Sequence, residues 1–106
     1  MPVGTGTGLP QLERTWLLQR VTGATSQTPL SQLRREYYIA QVGGTFTSVH
    51  DYQKRWLRKI ITDNAGTPTS TIYTSTLLKE VLAVLGYNVS PSIAQNWQTL
   101  YRNFNP

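Results

Sequence analysis

The most strongly amphipathic segment of the chain is Tyr52-Gln53-Lys54-Arg55-Trp56-Leu57-Arg58-Lys59-Ile60-Ile61. At about 100° per residue, its apolar side chains fall on one half of a helix and its basic side chains fall on the other. The apolar half is Tyr52, Trp56, Leu57, Ile60 and Ile61, and the basic half is Lys54, Arg55, Arg58 and Lys59. The pattern predicts a helix with one buried face and one face that meets solvent or an acidic partner.

Four further segments show the same helical spacing of apolar residues, and each is bounded by residues that begin or end helices. The predicted limits are Pro10 and Gly23 for the first helix, Thr28-Pro29 and Gly43-Gly44 for the second, Ser48 and Asp63 for the third, about residue 70 and Gly86 for the fourth, and Ser90-Pro91 for the start of the fifth. Ser48 and Asp51 have the spacing of a capping box.

The five segments share an internal repeat of about 20 residues. Its first apolar position holds Leu12, Leu33, Tyr52, Ile72 and Ile93, and the position four residues later holds Trp16, Tyr37, Trp56, Thr76 and Trp97. A unit of this length has room for one helix and one loop, so neighbouring units must bury its apolar face. The alternative is that amphipathic helices of similar length look alike without a common repeat.

The predicted fold is therefore all-α: a compact array of about five short amphipathic helices in a single domain, residues 9–106. The sequence leaves open whether the units stack linearly or close into a globule. Residues 1–8, with three Gly and two Thr, cannot bury an apolar face. We predict that they form a flexible N-terminal arm.

The composition excludes several classes of protein. Only 14% of the residues are charged, which predicts a surface that is covered in part by partners. The net charge of +5 permits contact with nucleic acid or an acidic protein surface but requires neither. The chain has no cysteine, which excludes disulfides and thiolate metal sites. It also lacks a membrane-length apolar run and the pattern of a signal peptide.

Catalytic residues are not indicated by the sequence. The only histidine, His50, lies in the predicted first turn of the central helix beside Asp51, where a capping role explains the pair better than catalysis. The carboxylates stand singly, without the spacing of a general acid–base pair or a metal site. We expect a protein that is not an enzyme and has no cofactor, no metal and no small-molecule substrate.

The candidate partner contacts are the basic residues of the second and third helices, because their flanks could merge if the two helices pack side by side. They are Arg34, Arg35, Lys54, Arg55, Arg58 and Lys59. Three interpretations stay open: an ordinary solvated helix face, a contact with an acidic neighbouring subunit, and a nucleic-acid surface. In the last case the side chains suit phosphates better than base edges.

Two segments carry a resemblance to a class of proteins: Leu33-Arg34-Arg35-Glu36-Tyr37-Tyr38 and Ile93-Ala94-Gln95-Asn96-Trp97-Gln98-Thr99-Leu100-Tyr101-Arg102-Asn103-Phe104. Together with the Gly/Thr arm and the surface rich in Thr, Ser, Asn and Gln, they resemble small virion proteins of tailed bacteriophages. The resemblance is one of overall style and carries no functional residue across. It implies an assembly role such as a head–tail connector or adaptor, a decoration protein or a fibre attachment.

The expected function is that of a non-enzymatic structural protein in a multi-subunit assembly, a phage virion component near the head–tail junction or in the tail. Its partners would be other virion subunits, identical or different, without membrane contact. It would reside in the virion after assembly in the host cytoplasm. The alternative is a small basic nucleic-acid-binding helical module.

Overall fold

A computed structural model describes residues 8–68 and 73–106. These residues form five α-helices and no β-strand, so the predicted all-α fold is confirmed. The helices are α1 (Leu9–Leu18), α2 (Leu30–Val42), α3 (Val49–Asp63), α4 (Thr74–Leu85) and α5 (Ile93–Asn103). The predicted flexible arm lies outside the described residues except for Gly8, which is the N-cap of α1.

The helix ends follow local chemistry closely at α3 and α4. The Ser48 side chain accepts a hydrogen bond from the Asp51 backbone N–H at 3.0 Å, as the predicted capping box requires. Gly86 ends α4 with φ 80° and ψ 19°, a left-handed conformation that glycine adopts without steric cost.

The helix limits differ from the predicted ones at four places. α1 ends at Leu18 rather than near Gly23, and α4 begins at Thr74 rather than at about residue 70.

The other two differences are helix starts that lie later along the chain. At α2 the N-cap position is Pro29, because the Thr28 hydroxyl instead accepts a hydrogen bond from the Thr25 backbone N–H within the preceding loop. At α5 the N-cap is Ser92, which accepts from the Gln95 backbone N–H. Both predictions used the Ser/Thr-Pro pairs, and in both cases the helix starts one or two residues later.

The five helices close into a ring. Each helix packs against the next one along the chain, and α5 packs back against α1. Large side chains also meet across the centre of the ring, where the ring centroids of Trp16 in α1 and Trp56 in α3 are 5.5 Å apart. The molecule has principal extents of 37 × 35 × 20 Å, so it is a thick disc. The five units therefore form a closed array and not a linear one.

An aromatic cluster fills the centre of the ring. The ring centroids of Trp16 and Tyr37 are 5.1 Å apart, and those of Tyr37 and Trp56 are 5.4 Å apart. These three residues occupy the same position in successive repeat units, so adjacent units do place equivalent residues side by side. Tyr101 and Phe104 complete the cluster, with centroids 5.5 and 6.1 Å from that of Trp16. Edge and offset contacts of this kind are the favourable geometries for aromatic pairs.

The fifth unit departs from the predicted register, and its predicted apolar face is wrong at the first position. Ile93 is 53% exposed, whereas Leu12, Leu33 and Tyr52 at the same position are fully buried. The buried residues of α5 are instead Asn96, Leu100 and Tyr101. Tyr101, not Trp97, makes the contact with Trp16, so the helix contributes to the centre one turn later than the repeat predicts.

The Asn96 side chain explains the displacement. Its amide N–H₂ donates to the Ser90 carbonyl oxygen at 2.8 Å, and its amide oxygen accepts from the Ser90 backbone N–H at 2.8 Å. Both polar ends of this buried side chain are therefore satisfied by the loop before α5. The first turn of α5 serves to hold that loop, and its apolar residues remain outside the core.

Candidate functional site

Arg34, one of the six predicted contact residues, is bound inside the fold. Its guanidinium donates two hydrogen bonds to Glu13 of α1, from Nε to Oε2 at 2.8 Å and from Nη2 to Oε1 at 2.5 Å. The Glu13 side chain is only 5% exposed, and the Tyr101 hydroxyl also donates to it. A buried carboxylate needs such a partner, and the hydrogen bonds to Glu13 raise the pKa of Arg34. Arg34 therefore links α1 and α2.

A signal for this ion pair was present in the sequence. Glu13 follows Leu12, and Arg34 follows Leu33, so the two residues occupy the same position in successive repeat units. Because adjacent units place equivalent positions next to each other, opposite charges at one position predict an ion pair. The shared position of Glu13 and Arg34 is not visible when the charges of each helix are examined separately.

Two further candidates are paired along α3 itself. Arg55 Nε lies 3.1 Å from Asp51 Oδ2, and Lys59 Nζ lies 2.5 Å from Asp63 Oδ2. Thr47 donates a hydrogen bond to Asp51 and, with smaller help from Arg55, lowers the pKa of that carboxyl. Such partly exposed pairs stabilise a helix only slightly. Their main consequence is that they neutralise much of the positive charge on the outer face of α3.

The remaining candidates are Arg35, Lys54 and Arg58. The Arg35 guanidinium lies 5.8 Å from the centroid of the Phe46 ring. Within residues 8–68 and 73–106, no carboxylate forms a salt bridge with any of the three. The six candidates thus lie in different environments, and the merging of the two basic flanks into one partner-contact patch stays a prediction.

A connected groove runs along the ends of the helices, and we call it the helix-end groove. One part of it is a pocket of about 360 Å³ between the last turns of α2, α3 and α4, which is within the size range of ligand pockets. It continues past the end of α1. The groove is lined by Thr15, Trp16, Gln19, Arg20, Tyr37, Gln41, Trp56, Lys59, Ile60, Asp63, Asn64, Leu85, Tyr87 and residues 101–106.

Arg20 holds the segment that forms one wall of the groove. Its guanidinium lies 3.9 Å from the centroid of the Trp16 ring and donates to the Phe104 carbonyl oxygen at 3.3 Å and to Asn105 Oδ1 at 3.1 Å. The Trp16 indole N–H donates to the same Phe104 oxygen at 2.8 Å. These contacts hold Phe104 and Asn105 against the end of α1. Sequence reasoning missed Arg20, whose only signal was a basic residue one turn after a tryptophan.

The Tyr37 hydroxyl is the least satisfied polar group of the groove. Tyr37 is 3% exposed, and its hydroxyl has no hydrogen-bond partner of good geometry among the described residues. Desolvation raises the pKa of Tyr37 to about 12, and the neighbouring Trp56 indole offsets only part of this rise. A buried hydroxyl without a partner costs stability.

The groove has little of the chemistry that catalysis uses. Its ionisable side chains other than tyrosine are Arg20, which is bound to carbonyl oxygens, Arg102 and the Lys59–Asp63 pair. The one histidine, His50, is exposed on α3 and does not line the groove. In the described part of the chain, no three His, Cys, Asp or Glu residues come together as a possible metal site.

A second surface feature is a pair of exposed aliphatic residues at the start of α5. Val89 is 47% exposed and Ile93 is 53% exposed. They lie just before and at the beginning of the helix that Asn96 displaces from its predicted register. Neighbouring Pro91 and Ala94 are also exposed, so this region presents apolar atoms to the outside.

Comparisons with other proteins leave the family of the chain undetermined. No protein-family model matches the sequence, and neither a curated protein nor a solved structure matches it. Among the described residues, every helix is too short or too polar to span a lipid bilayer.

Proposed function

We propose that this chain is a non-enzymatic structural subunit of a multi-subunit assembly, a component of a bacteriophage virion near the head–tail junction or in the tail. The observation that carries the proposal is the exposure of Ile93 and Val89 at the start of α5. Ile93 occupies a position that the first three repeat units fill with fully buried residues. An apolar surface of this kind is covered when a second protein packs on it.

The low charge of the surface supports the same function. Only 14% of the residues are charged, and three of the six predicted contact cations, Arg34, Arg55 and Lys59, are paired with carboxylates of the same chain. A surface with little unmatched charge resists association weakly. It fits protein–protein contacts with identical or different virion subunits, in particles assembled in the host cytoplasm.

The same ion pairs weaken the alternative of a nucleic-acid-binding module. A protein that binds the phosphate backbone needs several cations free to displace counterions. Arg34 is committed to the buried Glu13, and Arg55 and Lys59 each have a carboxylate four residues away. The unmatched candidates Arg35, Lys54 and Arg58 are fewer than such a surface usually provides.

The proposal is tested by the molar mass of the protein in solution over a range of concentrations. We expect species larger than the 11.9 kDa chain, and we expect Ile93→Ser to reduce their amount. Ala40→Ser, at an exposed position of α2, is the matched control and should leave the mass unchanged. A protein that stays monomeric at every concentration, or binds duplex DNA with a steep dependence on salt, would contradict the proposal.

A further inference from the structure

We propose that the apolar surface at the start of α5 binds the same surface of a second copy of this chain across a two-fold axis. This inference rests on the proposed assembly function and names the partner of the surface around Val89 and Ile93. It is supported by the exposed apolar side chains, by the absence of charge around them and by the hydrogen bonds that hold them in place.

Exposed apolar side chains are concentrated at the start of α5. Val89 and Ile93 are two of the three large hydrophobic residues that are exposed in the part of the chain that the structure describes. Pro91 and Ala94, which are their neighbours in the chain, are exposed as well. Apolar side chains that lie together form the centre of many protein–protein contacts. We call these four residues the α5 patch: Val89, Pro91, Ile93 and Ala94.

The sequence around the α5 patch carries no charge. Residues 81–101 contain no Asp, Glu, Lys, Arg or His, and this is the longest such stretch in a chain whose net charge is +5. In a two-fold contact the same surface is used by both copies, so a residue near the axis lies close to its own copy. Any charge there would face a like charge, which opposes association. By contrast, Lys54 and Arg58 on the outer face of α3 would repel their own copies.

The charged residues of α5 and of its two neighbouring helices lie away from the α5 patch or are already bound. Arg102, the one charged residue of α5, is in its last turn, about 13 Å along the helix axis from Ile93. In α1, the buried Glu13 is paired with Arg34, and Arg14 donates to a loop carbonyl oxygen. The two charged residues of α4 lie at the middle of that helix, away from its end beside α5. A second copy on the patch would therefore meet no like charge at its centre.

A shallow depression of uncharged residues borders the α5 patch. It has a volume of about 390 Å³ and is lined by Gly86, Tyr87, Asn88, Gln95, Thr99 and Asn103. Asn88 and Gln95 are exposed, and they are the chain neighbours of Val89 and Ala94. A side-chain amide both donates and accepts hydrogen bonds, so it can pair with an amide of a second copy. The patch thus has a polar and neutral rim, as protein–protein contacts have.

Hydrogen bonds hold the α5 patch in place before a partner binds. Ser90 lies inside the patch, and the buried Asn96 side chain binds both its backbone N–H and its carbonyl oxygen. The Ser92 backbone N–H donates to the Ser90 hydroxyl at 3.0 Å. A surface that is ordered in the free chain loses less conformational entropy on binding. Asn96 therefore fixes the loop part of the patch against the helix.

A two-fold contact closes with two copies, so the unit that enters the assembly would be a dimer. The α5 patch has only two large apolar side chains. We therefore expect a dimer that dissociates on dilution, as small contacts do.

The first experiment places charges at Ile93 and measures molar mass by sedimentation over a range of concentrations. Ile93→Lys and Ile93→Asp, each alone, bring like charges together and should weaken association at least about tenfold. An equal mixture of the two brings opposite charges together and should restore the dimer. Ala40→Lys and Ala40→Asp, at an exposed position of α2, are the matched controls and should leave association unchanged. Val89→Lys and Val89→Asp repeat the test in the loop, so the result does not depend on the folding of a charged α5.

The second experiment measures directly how close the two patches lie. The chain has no cysteine, so Ile93→Cys and Ala40→Cys each carry a single thiol, and both are treated with a short bismaleimide crosslinker. Residues near a two-fold axis lie close to their own copies, so Ile93→Cys should form covalent dimers in much larger amount than Ala40→Cys. Equal crosslinking of the two variants would reflect random collision and would overturn the two-fold contact.

The possible failures of the charge experiment separate this inference from the proposed function. If Ile93→Lys and Ile93→Asp lose association and their mixture does not regain it, the two-fold contact is overturned while the proposed assembly function stands. If neither variant changes association, the α5 patch is not the contact and this inference is overturned, although the copies still assemble. If the unchanged chain is monomeric at every concentration, a second copy does not occupy the patch, and the proposed assembly function is contradicted as well.

Discussion

Helices α3 and α5 are both strongly amphipathic, yet they bury their apolar residues in different ways. In α3 every apolar residue of the predicted face is buried: Tyr52, Trp56, Leu57, Ile60 and Ile61. In α5 the predicted first residue is exposed, and a polar residue, Asn96, is buried in its place. The comparison shows that amphipathicity predicts that a helix has an inner face but does not by itself predict which residues occupy it.

The difference follows from what each helix packs against. α3 lies between α2 and α4 over much of its length and fills the centre of the ring with Trp56. α5 must close the ring against α1, and it does so with Tyr101 and the segment at Phe104. Its first turn extends beyond the centre, where Asn96 binds the preceding loop.

The largest expected difference is in the unfolding free energy lost when the tryptophan of each helix is replaced. Trp56 in α3 and Trp97 in α5 occupy the same repeat position. Trp56 is 2% exposed and contacts Trp16, Tyr37 and Tyr38 in the aromatic cluster. Trp56→Ala should cost about 3–5 kcal/mol of unfolding free energy. Trp97 is only partly buried at the edge of the core, so Trp97→Ala should cost roughly 1–2 kcal/mol because less apolar area is lost. Urea unfolding measures both, and equal costs would contradict the packing described for α5.

The next largest expected change in unfolding free energy is at the position one residue before these tryptophans. This position holds Arg55 in α3 and Asn96 in α5. Asn96→Ala removes two hydrogen bonds to Ser90 and leaves partly buried backbone groups of that residue unpaired. We expect a loss of about 2 kcal/mol. Arg55→Ala is the matched control and should change stability by less than about 0.5 kcal/mol, because its ion pair with Asp51 is exposed. Chemical denaturation measures the unfolding free energy of both variants. If Asn96→Ala is as stable as the unchanged chain, other contacts hold the loop before α5.

The smallest expected effect on folding is at Ile93. Because this side chain is half exposed in the isolated chain, Ile93→Ser should change the unfolding free energy by less than about 0.5 kcal/mol. Ile60→Ser in α3, where the side chain is 4% exposed, should cost at least about 3 kcal/mol. A large loss from Ile93→Ser in the monomer would mean that this residue belongs to the core, and it would remove the main support for an interface at α5.

Much of the fold could be predicted from local sequence. The start of α3 followed from Ser48 and Asp51, and its end followed from the residues after Asp63, because caps and apolar spacing act within a few residues. The repeat predicted that neighbouring units bury each other's apolar faces, and in the structure Trp16, Tyr37 and Trp56, which share one repeat position, lie side by side. The predicted flexible arm and the first position of the fourth unit, Ile72, lie outside the described residues.

The candidate site could be predicted less well because it depends on ring closure. Arg34 was grouped with Arg35 by adjacency in sequence, although its partner Glu13 is 21 positions away on another helix. Arg20 binds Phe104 and Asn105 because α5 places these two residues at the end of α1. Contacts between the first and last helices have no local signature in the sequence, so the groove that they build has none either.

Ring closure is the central claim, and a double-mutant cycle between Trp16 and Phe104 tests it most directly. The Trp16 ring stacks on Phe104 at 6.1 Å, and its indole N–H donates to the Phe104 carbonyl oxygen, although 88 positions separate them in the chain. Urea unfolding of Trp16→Phe, Phe104→Ala and the double variant should give a coupling energy of about 0.5–1.5 kcal/mol. A coupling energy indistinguishable from zero would contradict the closed ring and favour a linear array of the five units.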